Sequence, residues 1–599
     1  MKKANQFKKT LANFGFLLKL YKKYALGLLI AGIIIPLVFS PITSLLNVFM
    51  NSTLLGKIAD GSPLRTILYV AIMFTAAQLV INVVQNIFSL LFIQVKQQKL
   101  SFDIQREIYE TSLATDYKYY DNPEFFGDYT WAVQNMPSQI QQVASVLQNL
   151  VQSASSFIAM TTYIVMVGPG VLVVSLVSLA INAVIMRKQN KLNYGLTEKV
   201  MPKIRRVQYF NRMFYTVDPQ ADLKATNLRI PFFSAFADST KNYLDYVIDI
   251  NKRFVGISLL QMLTSNAMNI ANIALILISL GSGNMTDVAK YSALLAAAST
   301  MQGNLQNFIS QFMSLDQITM YTDRIRRFFD HDSPIEASDG KGDTPADTPF
   351  TLDLDDVTFA YGEDGDNRKE VLSGLDLHIK AGEKVAIVGE NGAGKSTMMK
   401  LLLRLYDVSG GEIRVDGKSI KDFDVRKYRG RIGMAFQDAT VYSLTVRENL
   451  TMYREADDET LREALRKVGL TRLLEGEGLD AVMLREFDDN GVMLSGGETQ
   501  KFALARLLVG GFGLIMLDEP TASLDPLAEY ELNKLILDPA RPETTIVVAH
   551  RLSTIRDADR IYLIDNGKVA EVGTHDELMS ANAKYYEMFT KQAEGYADR

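Results

Sequence analysis

The sequence lacks cysteine entirely and has only four histidines in 599 residues. Without cysteine the chain can form no disulfide, no thiolate metal site and no thiol nucleophile. Four histidines leave little for a histidine-ligated metal centre. Neither sign of charge dominates, since 63 lysines and arginines stand against 68 aspartates and glutamates. Because a dedicated nucleic-acid-binding protein would be basic, this near balance argues against a nucleic acid as partner.

What the sequence has is two halves of different composition, which divide near residue 335. Long apolar stretches dominate before this point, and charged residues with alternating strand-like and helix-like segments follow it. The stretch 331–349 is rich in Gly, Pro, Ser and Asp and cannot bury enough apolar surface to order itself. We therefore predict a membrane domain over residues 1–330, a linker over 331–349 and a second domain over 350–590.

Six apolar stretches in the first half are long enough to cross a bilayer, which takes about 20 mostly apolar residues. They lie near residues 25–47, 66–93, 145–167, 169–187, 254–280 and 289–315. Lysines and arginines cluster before the first stretch and in the long segments 94–144 and 188–253, which the positive-inside rule assigns to the cytoplasm. The sequence therefore predicts an all-α, six-helix, multi-pass domain of the cytoplasmic membrane with both termini in the cytoplasm.

The two long cytoplasmic segments look like spanning helices that continue into water and then break, at residues 119–126 and 217–223. Helices that project so far must turn back, and their turns could contact a soluble domain beneath the membrane. The first break, Tyr119-Tyr-Asp-Asn-Pro-Glu-Phe-Phe126, has a second interpretation. Its aromatic residues could instead form a belt at the membrane interface.

Asparagine and glutamine supply most of the polar side chains within the predicted spans, and they fall on single helix faces. These faces are formed by Gln78, Asn82 and Gln85 in the second span, by Gln261, Ser265, Asn269 and Asn272 in the fifth, and by Asn304, Asn307 and Gln311 in the sixth. Amides that face lipid are costly, so we expect these faces to point inward. They either join helices by hydrogen bonds or line an uncharged polar cavity for a cargo with many amide groups.

The second half contains a phosphate-binding motif between a predicted strand and a predicted helix. The strand-like run 384–388 leads into Gly389-Glu-Asn-Gly-Ala-Gly-Lys-Ser-Thr397. In such a loop the backbone N–H groups converge on phosphates at the N-terminus of a helix. We expect Lys395 to reach the terminal phosphates and the Ser396 hydroxyl to bind Mg²⁺. The other expected ATP-binding residues of this loop are Gly389, Asn391, Gly392, Ala393, Gly394 and Thr397.

A second motif, Leu514-Ile-Met-Leu-Asp-Glu-Pro520, is an apolar strand that ends in two acids. At the carboxyl end of a parallel strand, Asp518 can hold Mg²⁺ through water. Glu519 can then polarise the attacking water as a general base. Together the two motifs predict an α/β P-loop ATPase domain.

The segment Leu494-Ser-Gly-Gly-Glu-Thr-Gln500 resembles the signature sequence of the ABC transporter ATPases. In that family the signature of one protomer completes the ATP site of another, so the resemblance implies a head-to-tail dimer that binds two ATP molecules. The signature residues that would contact ATP are Ser495, Gly496, Gly497 and Glu498. Since Glu519 and His550 are both intact, the resemblance favours a second copy of the same chain as partner, with a heterodimer as the alternative.

Four further residues resemble functional positions of the same family. Tyr361 resembles the aromatic residue that stacks on adenine, and Gln437 resembles the glutamine that touches Mg²⁺ and senses the membrane domain. Asp525 resembles the D-loop aspartate, and His550 resembles the switch histidine at the γ-phosphate. Six spans with long cytoplasmic extensions are similar to an exporter-type half-transporter, in which the two breaks would be coupling helices against the ATPase domains.

The resemblance implies an exporter that couples ATP binding and hydrolysis to outward movement of a cargo. The Asn and Gln faces favour a peptide or another amide-rich or amphiphilic cargo, and a multidrug or lipid exporter is the alternative. An ATP-gated regulatory membrane protein without net transport would share every motif above. The sequence departs from the family pattern in two places. The stretch 485–491, just before the signature, differs from the pattern commoner in exporters, and Glu498 stands where glutamine is commoner.

Overall fold

The computed structural model describes residues 2–167, 170–216, 219–280, 287–362, 369–520 and 526–597. These residues form two compact units. The first unit comprises Met1–Ser112 and Gly127–Asp330, and the second comprises Leu113–Phe126 and His331–Arg599.

Long helices make up the first unit. They are α1 (Lys2–Tyr24), α2 (Leu26–Ala59), α3 (Leu64–Phe88), α4 (Val95–Leu113), α5 (Pro123–Val167), α6 (Gly170–Tyr215), the short α7 (Gln220–Ala225), α8 (Arg229–Leu280) and α9 (Asp287–Phe329). The π-helical segment Ser89–Gln94 joins α3 to α4.

Four helical stretches in the described part of the chain are long and apolar enough to cross a membrane. They are Leu26–Ala59, Leu64–Leu113, Phe125–Val167 and Arg229–Ala274. The predicted spans 169–187 and 289–315 lie in α6 and α9, apart from residue 169, which is outside the described residues. The span 66–93 runs through α3 and the π-helical segment, and the other predicted spans lie in one long helix each, apart from the end residues 25 and 169.

Helices α2, α5 and α9 pack through a small apolar core. Its buried members are Val48, Met160, Ile164, Ala293, Leu294, Ala297, Ala298 and Met301. Beside this core, the hydroxyls of Ser40 and Ser44 on α2 each lie 2.8 Å from the hydroxyl of Ser156 on α5. Small hydroxyl residues let two helix backbones approach closely while their polar groups stay paired, which is how helices associate in lipid.

The amide faces predicted for the spans are only partly used in pairing helices. Gln78 donates from Nε2 to Oδ1 of Asn47 at 3.0 Å, and Gln302 donates to the hydroxyl of Ser265 at 3.0 Å. In contrast, Oδ1 of Asn272 and Nδ2 of Asn304 are buried without a hydrogen-bond partner among the described residues. Pairing between helices therefore accounts for some of these amides, and the unpaired atoms of Asn272 and Asn304 are not explained by it.

The second unit alternates strands and helices. They are β1 (Leu352–Tyr361), β2 (Lys369–Ile379), β3 (Lys384–Val388), α10 (Lys395–Leu402), β4 (Gly410–Val415), β5 (Lys418–Ser419), α11 (Val425–Gly430), β6 (Ile432–Ala435), α12 (Val446–Thr451), α13 (Asp458–Lys467), α14 (Gly496–Leu508), β7 (Leu514–Asp518), α15 (Pro526–Ile536), β8 (Thr544–Val548), β9 (Arg560–Asp565), β10 (Lys568–Gly573), α16 (His575–Ala581) and α17 (Lys584–Ala597).

The strands form two sheets. Strands β2, β1, β4 and β5 form an antiparallel sheet in that order. The second sheet has the order β10-β9-β3-β8-β7-β6, and its strands from β9 to β6 are parallel. Parallel strands covered on both faces read as apolar runs, and all five residues of β3 are buried. Because the carboxyl ends of β3, β8, β7 and β6 meet at one edge, the loops that follow them lie side by side.

The segment Leu113–Phe126, which contains the first predicted break, belongs to the second unit. The fully buried Asp116 carboxylate accepts hydrogen bonds from the backbone N–H groups of Ile335 and Glu336, and the hydroxyl of Tyr119 donates to the carbonyl of Asp332 at 2.7 Å. Burial raises the pKa of Asp116. These contacts favour a turn against the soluble domain over an aromatic belt. At the second break, residues 217 and 218 lie outside the described residues, and α7 follows them.

The stretch 331–349 is held by contacts that its composition does not reveal. Ile335 is buried, and Glu336 forms an ion pair with Arg429 at 2.7 Å. Asp343 pairs with Phe423 in an isolated β-bridge. From its composition the stretch is expected to be unable to order itself. Partners from the rest of the second unit order it.

Candidate functional site

The loop between β3 and α10 is wound so tightly that it requires glycine. Gly389 has a φ of +152° and Gly394 a φ of +105°. A Cβ on Gly389 would lie 2.2 Å from the carbonyl oxygen of Ile564, and one on Gly394 would lie 2.6 Å from a methyl group of Leu372. The loop ends in the first turn of α10, whose N–H groups have no partner within the helix. Such a turn is a ready anion-binding site.

The remaining loop residues divide between the tip of the loop and its base. Asn391 and Gly392 are exposed at the tip. Ala393 is buried at the base, and its N–H donates to the carbonyl of Glu390 at 3.2 Å. A ligand can therefore reach the tip of the loop, while the base is packed against the protein.

Lys395 lies across this loop and is itself buried. Its Nζ donates to the carbonyl oxygens of Gly389 at 2.8 Å and Glu390 at 3.0 Å. Burial lowers the pKa of Lys395, and the carboxylates of Glu519 and Asp518 oppose that shift. Two carbonyl partners are a weak substitute for an anion, so this ammonium is poised to exchange them for the oxygens of a phosphate.

Asp518, at the end of β7, supplies an oxygen that the protein leaves unused. Its side chain is hydrogen-bonded to Ser396, and burial is the main cause that raises the pKa of Asp518. Its Oδ1 is buried and has no hydrogen-bond partner in the part of the chain that the structure describes. Mg²⁺ takes oxygen ligands, commonly one or two carboxylates together with phosphates of the substrate. The Ser396 hydroxyl and the unpaired oxygen of Asp518 are ligands of this kind. The described residues contain no group of three or more His, Cys, Asp and Glu side chains placed to hold a metal ion by themselves.

Three polar side chains meet just beyond the ends of β6, β7 and β8. Gln437 donates from Nε2 to Oε2 of Glu519 at 3.1 Å, and Nε2 of His550 contacts Oε1 of the same carboxylate. Glu519 has a left-handed backbone with a φ of +50°, a conformation that costs a non-glycine residue about 1–2 kcal/mol. Its N–H donates to the carbonyl of Val548 at 3.1 Å, which holds it in that conformation. Strain of this kind is commonly retained at functional sites.

Tyr361 is the last residue of β1 and lies next to the loop 389–397 that joins β3 to α10, called the phosphate loop below. Its hydroxyl lies 3.2 Å from the hydroxyl of Thr397, and its ring packs edge-on against Tyr406 with 5.5 Å between centroids. The ammonium of Lys400 lies 5.8 Å from the Tyr361 ring. Tyr406 in turn donates a hydrogen bond to the carboxylate of Asp121. The ring is therefore held in place beside the loop that would bind the phosphates, as a base-stacking residue must be.

The signature segment forms the N-terminus of α14. Ser495 and Glu498 cap each other: the N–H of Ser495 donates to the Glu498 carboxylate at 2.8 Å, and the N–H of Glu498 donates to the Ser495 hydroxyl at 3.3 Å. Arg472 also binds Glu498 at 2.6 Å. These bonds, with Arg472 the largest cause, lower the pKa of Glu498 to about 2. Gly496 and Gly497 follow in the first helical turn, where Gly496 is exposed.

The expected site residues form two groups in the structure, and Asp525 is not described. The phosphate loop, Asp518, Glu519, Gln437 and His550 gather at the edge of the parallel sheet. The signature residues Ser495 to Glu498 cap a separate helix. Asp525 lies outside the described residues.

Sequence reasoning missed Arg506, which fixes the loop after Gln437. From α14 this arginine donates to the carbonyl of Thr440 at 2.7 Å, to the carbonyl of Asn449 at 2.8 Å and to its Oδ1 at 3.1 Å. Burial lowers the pKa of Arg506. The only signal in the sequence was a single arginine in the otherwise apolar run Phe502-Ala-Leu-Ala-Arg-Leu-Leu508.

Comparison with known proteins finds a family model and relatives that match part of the chain. Residues 372–522 match the family model described as ABC transporter. YgaD of Bacillus subtilis, an ATP-binding/permease protein named for multidrug export, is 37% identical over 244 residues, which are 40% of this chain and 41% of YgaD. Multidrug resistance protein 3 of Entamoeba histolytica is 30% identical over 368 residues, which are 59% of this chain and 27% of that protein. The matches thus span less than half the length of these curated relatives.

A solved structure matches almost the whole chain. The structure of a bacterial Atm1-family ABC exporter with ATP bound superposes with a TM-score of 0.78. The match covers 95% of this chain and 99% of that one at 22% sequence identity. The predicted fold class, a helical membrane domain joined to an α/β P-loop ATPase domain, is thereby confirmed.

Proposed function

We propose that the protein is an ATP-driven exporter, because residues 372–522 match the ABC transporter family model and the chain has the fold of an ABC exporter. We assign the transmembrane domain to residues 1–330, the linker to 331–349 and the ATP-binding domain to 350–590. The observation that carries the proposal is the meeting of Gln437 and His550 on the carboxylate of Glu519, next to the phosphate loop.

Hydrolysis of ATP uses the residues at the edge of the parallel sheet. Lys395 and the loop N–H groups bind the phosphates, and Glu519 takes the proton of the attacking water. His550 orients the Glu519 carboxylate and contacts the γ-phosphate. Ser396, Asp518 and Oε1 of Gln437 would hold Mg²⁺, which when bound neutralises charge on the phosphates. Since the Nε2 of Gln437 already donates to Glu519, its Oε1 remains for the metal.

A second copy of the chain completes each ATP site. Tyr361 stacks on the adenine from one protomer, and Ser495, Gly496, Gly497 and Glu498 bind the phosphates from the other. Asp525 is assigned to the same site by its resemblance to the D-loop aspartate. Glu519 and His550 are both present and in contact, which favours a homodimer with two active sites over a mixed pair. ATP binds the closed dimer better than the open one, and this difference in affinity drives the conformational change.

The protein lies in the cell membrane with both termini in the cytoplasm. The apolar helices and the excess of lysine and arginine before the first span support this orientation. The ATPase domain then faces the cytoplasm, where ATP is available, and the cargo moves outward.

For the cargo we propose an amphiphilic small molecule of the multidrug type, with a peptide as the second candidate. The names of the relatives support the first. The peptide is favoured by the buried amides of Asn272 and Asn304, which have atoms without hydrogen-bond partners and could bind amide groups of a cargo.

Flux into inside-out vesicles tests the proposal. Vesicles with the wild-type protein should accumulate a fluorescent amphiphilic drug or a labelled peptide when ATP is added, and vesicles with Glu519→Gln should not. Equal uptake by both would contradict a pump. ATP hydrolysis without any ATP-dependent flux, across a panel of drugs, peptides and lipids, would instead favour an ATP-gated regulatory protein.

A further inference from the structure

The helix α17 reaches the segment that carries His550. The side-chain amide of Gln592 donates from Nε2 to the carbonyl oxygen of His550 at 2.7 Å. Its Oε1 accepts a hydrogen bond from the backbone N–H of Leu552 at 2.9 Å. One side chain from a distant part of the sequence therefore bridges the backbone on both sides of Arg551.

The bridged segment lies between a strand and a short helix. His550 stands two residues after the end of β8 at Val548, and the short 3₁₀-helix Leu552–Ile555 begins two residues later. The N–H of Ala549 still donates to the carbonyl of Ile387 on β3 at 3.3 Å, and the Arg551 side chain binds the Glu529 carboxylate on α15. The first N–H of a helix has no partner within it, and Arg551 provides no side-chain cap here. Gln592 supplies that missing partner and at the same time binds the carbonyl of His550.

Helix α17 is held by several contacts with the rest of the second unit. Gln592 on this helix can therefore fix the position of the backbone to which it binds. The backbone N–H of Lys584, at the start of α17, donates to the Glu571 carboxylate at 2.7 Å. Tyr585 is fully buried, and its hydroxyl lies 2.9 Å from Nδ1 of His575. Lys584 also forms ion pairs with Asp565 at 2.8 Å and with Glu390 of the phosphate loop at 3.4 Å. The helix thus contacts both the phosphate loop and the histidine segment.

We propose that Gln592 is a positioning residue for His550. By tying the backbone at residues 550 and 552 to α17, it holds the His550 imidazole in contact with the Glu519 carboxylate. This inference rests on the proposed function, because it assigns Gln592 a role in ATP hydrolysis. Small displacements of a group that acts on the reacting atoms lower the rate far more than they weaken substrate binding.

The test measures steady-state ATP hydrolysis by the full-length protein in lipid nanodiscs. Gln592→Leu removes both hydrogen bonds and so loosens the position of His550, and we expect kcat to fall about tenfold. The KM for ATP should change by less than about twofold, because no nucleotide contact is lost. Gln592→Glu keeps the acceptor for Leu552 and loses the donor to His550, and its kcat should lie between those of the wild type and Gln592→Leu.

The matched control is Lys591→Gln on the same helix. Lys591 is 71% exposed and pairs only locally with Glu587, so kcat and thermal stability should be unchanged. If Gln592→Leu unfolds at a clearly lower temperature than this control, Gln592→Glu carries the test. Wild-type kcat in Gln592→Glu would overturn the proposal.

A double-mutant cycle separates positioning of His550 from a general structural role. In a His550→Ala background the imidazole is gone, so adding Gln592→Leu should lower the residual kcat by less than about twofold. A further fall as large as in the wild-type background would overturn the proposal. If the wild-type protein itself hydrolyses no ATP, the proposed function fails, whereas an active wild type with an equally active Gln592→Leu refutes only the role of Gln592.

Discussion

The two units of this protein bury opposite parts of their sequence. In the first unit the apolar side chains of the spanning helices point outward, as with Leu91 at 73% and Leu263 at 67% exposed. In the second unit all five residues of β3 are buried, and polar side chains follow the strand ends. Lipid-facing helices satisfy their own backbone and need only apolar length, whereas a parallel sheet must assemble its site from several loops.

This difference explains why sequence motifs predict the functional residues of the second unit but not those of the first. The phosphate loop and the acids after β7 are short segments whose spacing is set by one strand and one turn. The polar groups of the first unit are single amides and hydroxyls spread over several helices. A substitution in the second unit should therefore affect turnover steeply, and one in the first unit should affect stability gently.

The steepest effect should come from Glu519→Gln. Loss of a general base lowers the rate about 10²–10⁴-fold, so kcat for ATP should fall by at least about a hundredfold. Equilibrium binding of ATP should be retained, because the amide keeps the shape of the carboxylate and repels the phosphates less. The control is Glu459→Gln, whose side chain is 74% exposed on α13 and which should hydrolyse ATP normally. Full turnover in Glu519→Gln would remove the proposed base.

A smaller but still large effect is expected for Lys395→Ala. Hydrogen bonds to charged groups contribute about 1.5–3 kcal/mol, so the affinity for ATP should fall about ten- to a hundredfold. Binding of a fluorescent ATP analogue to the detergent-solubilised protein measures this loss. Lys467→Ala, which removes a half-exposed lysine of α13, should bind as the wild type does. Unchanged affinity in Lys395→Ala would show that the loop is not the phosphate site.

In the first unit, Ser156→Ala should be mild. It deletes the hydroxyl that lies 2.8 Å from both Ser40 and Ser44, and such bonds between membrane helices contribute about 0.6 kcal/mol on average. The free energy of unfolding should therefore drop by about 0.5–1.5 kcal/mol, with ATP affinity unchanged. The control is Ser145→Ala, since Ser145 donates only to Gln141 within its own helix α5. A loss above about 3 kcal/mol would mean that the two units do not differ as described.

The smallest effect is expected for Glu498→Gln, and it should depend on pH. The pKa of Glu498 is lowered from 4.5 to about 2, so its ionised form stabilises the fold. That contribution is complete above the ordinary pKa of 4.5 and is lost as the pH falls towards about 2. At neutral pH the variant should lose less than about 1 kcal/mol, because the pair with Arg472 is partly exposed.

Thermal unfolding at several pH values checks this last prediction. The difference in stability between wild type and Glu498→Gln should shrink as the pH is lowered from about 5 to 3. A difference that grows towards acid pH would have the wrong sign for a carboxylate held in its ionised form.

Much of the fold could be predicted from the sequence because it depends on local patterns of residues. The apolar lengths of the spans and the strand–loop–helix order around Lys395 are properties of neighbouring residues. The contacts of the stretch 331–349 were not readable, since they come from Asp116, Arg429 and Phe423, which are distant in sequence. Arg506 and Gln592 escaped notice for the same reason: each binds backbone carbonyls, which carry no sequence signal.

The sequence by itself determined which segments form long apolar helices and which loop, before α10, is wound around glycines. Hydrophobic length decides the first, and the freedom of glycine to adopt positive φ decides the second. Only the tertiary structure decided that Gln437, Glu519 and His550 meet, because they follow β6, β7 and β8, and the order of these strands in the sheet makes them neighbours. It also placed Leu113–Phe126 in the second unit, through the burial of Asp116 and its bonds to backbone N–H groups more than 200 residues away.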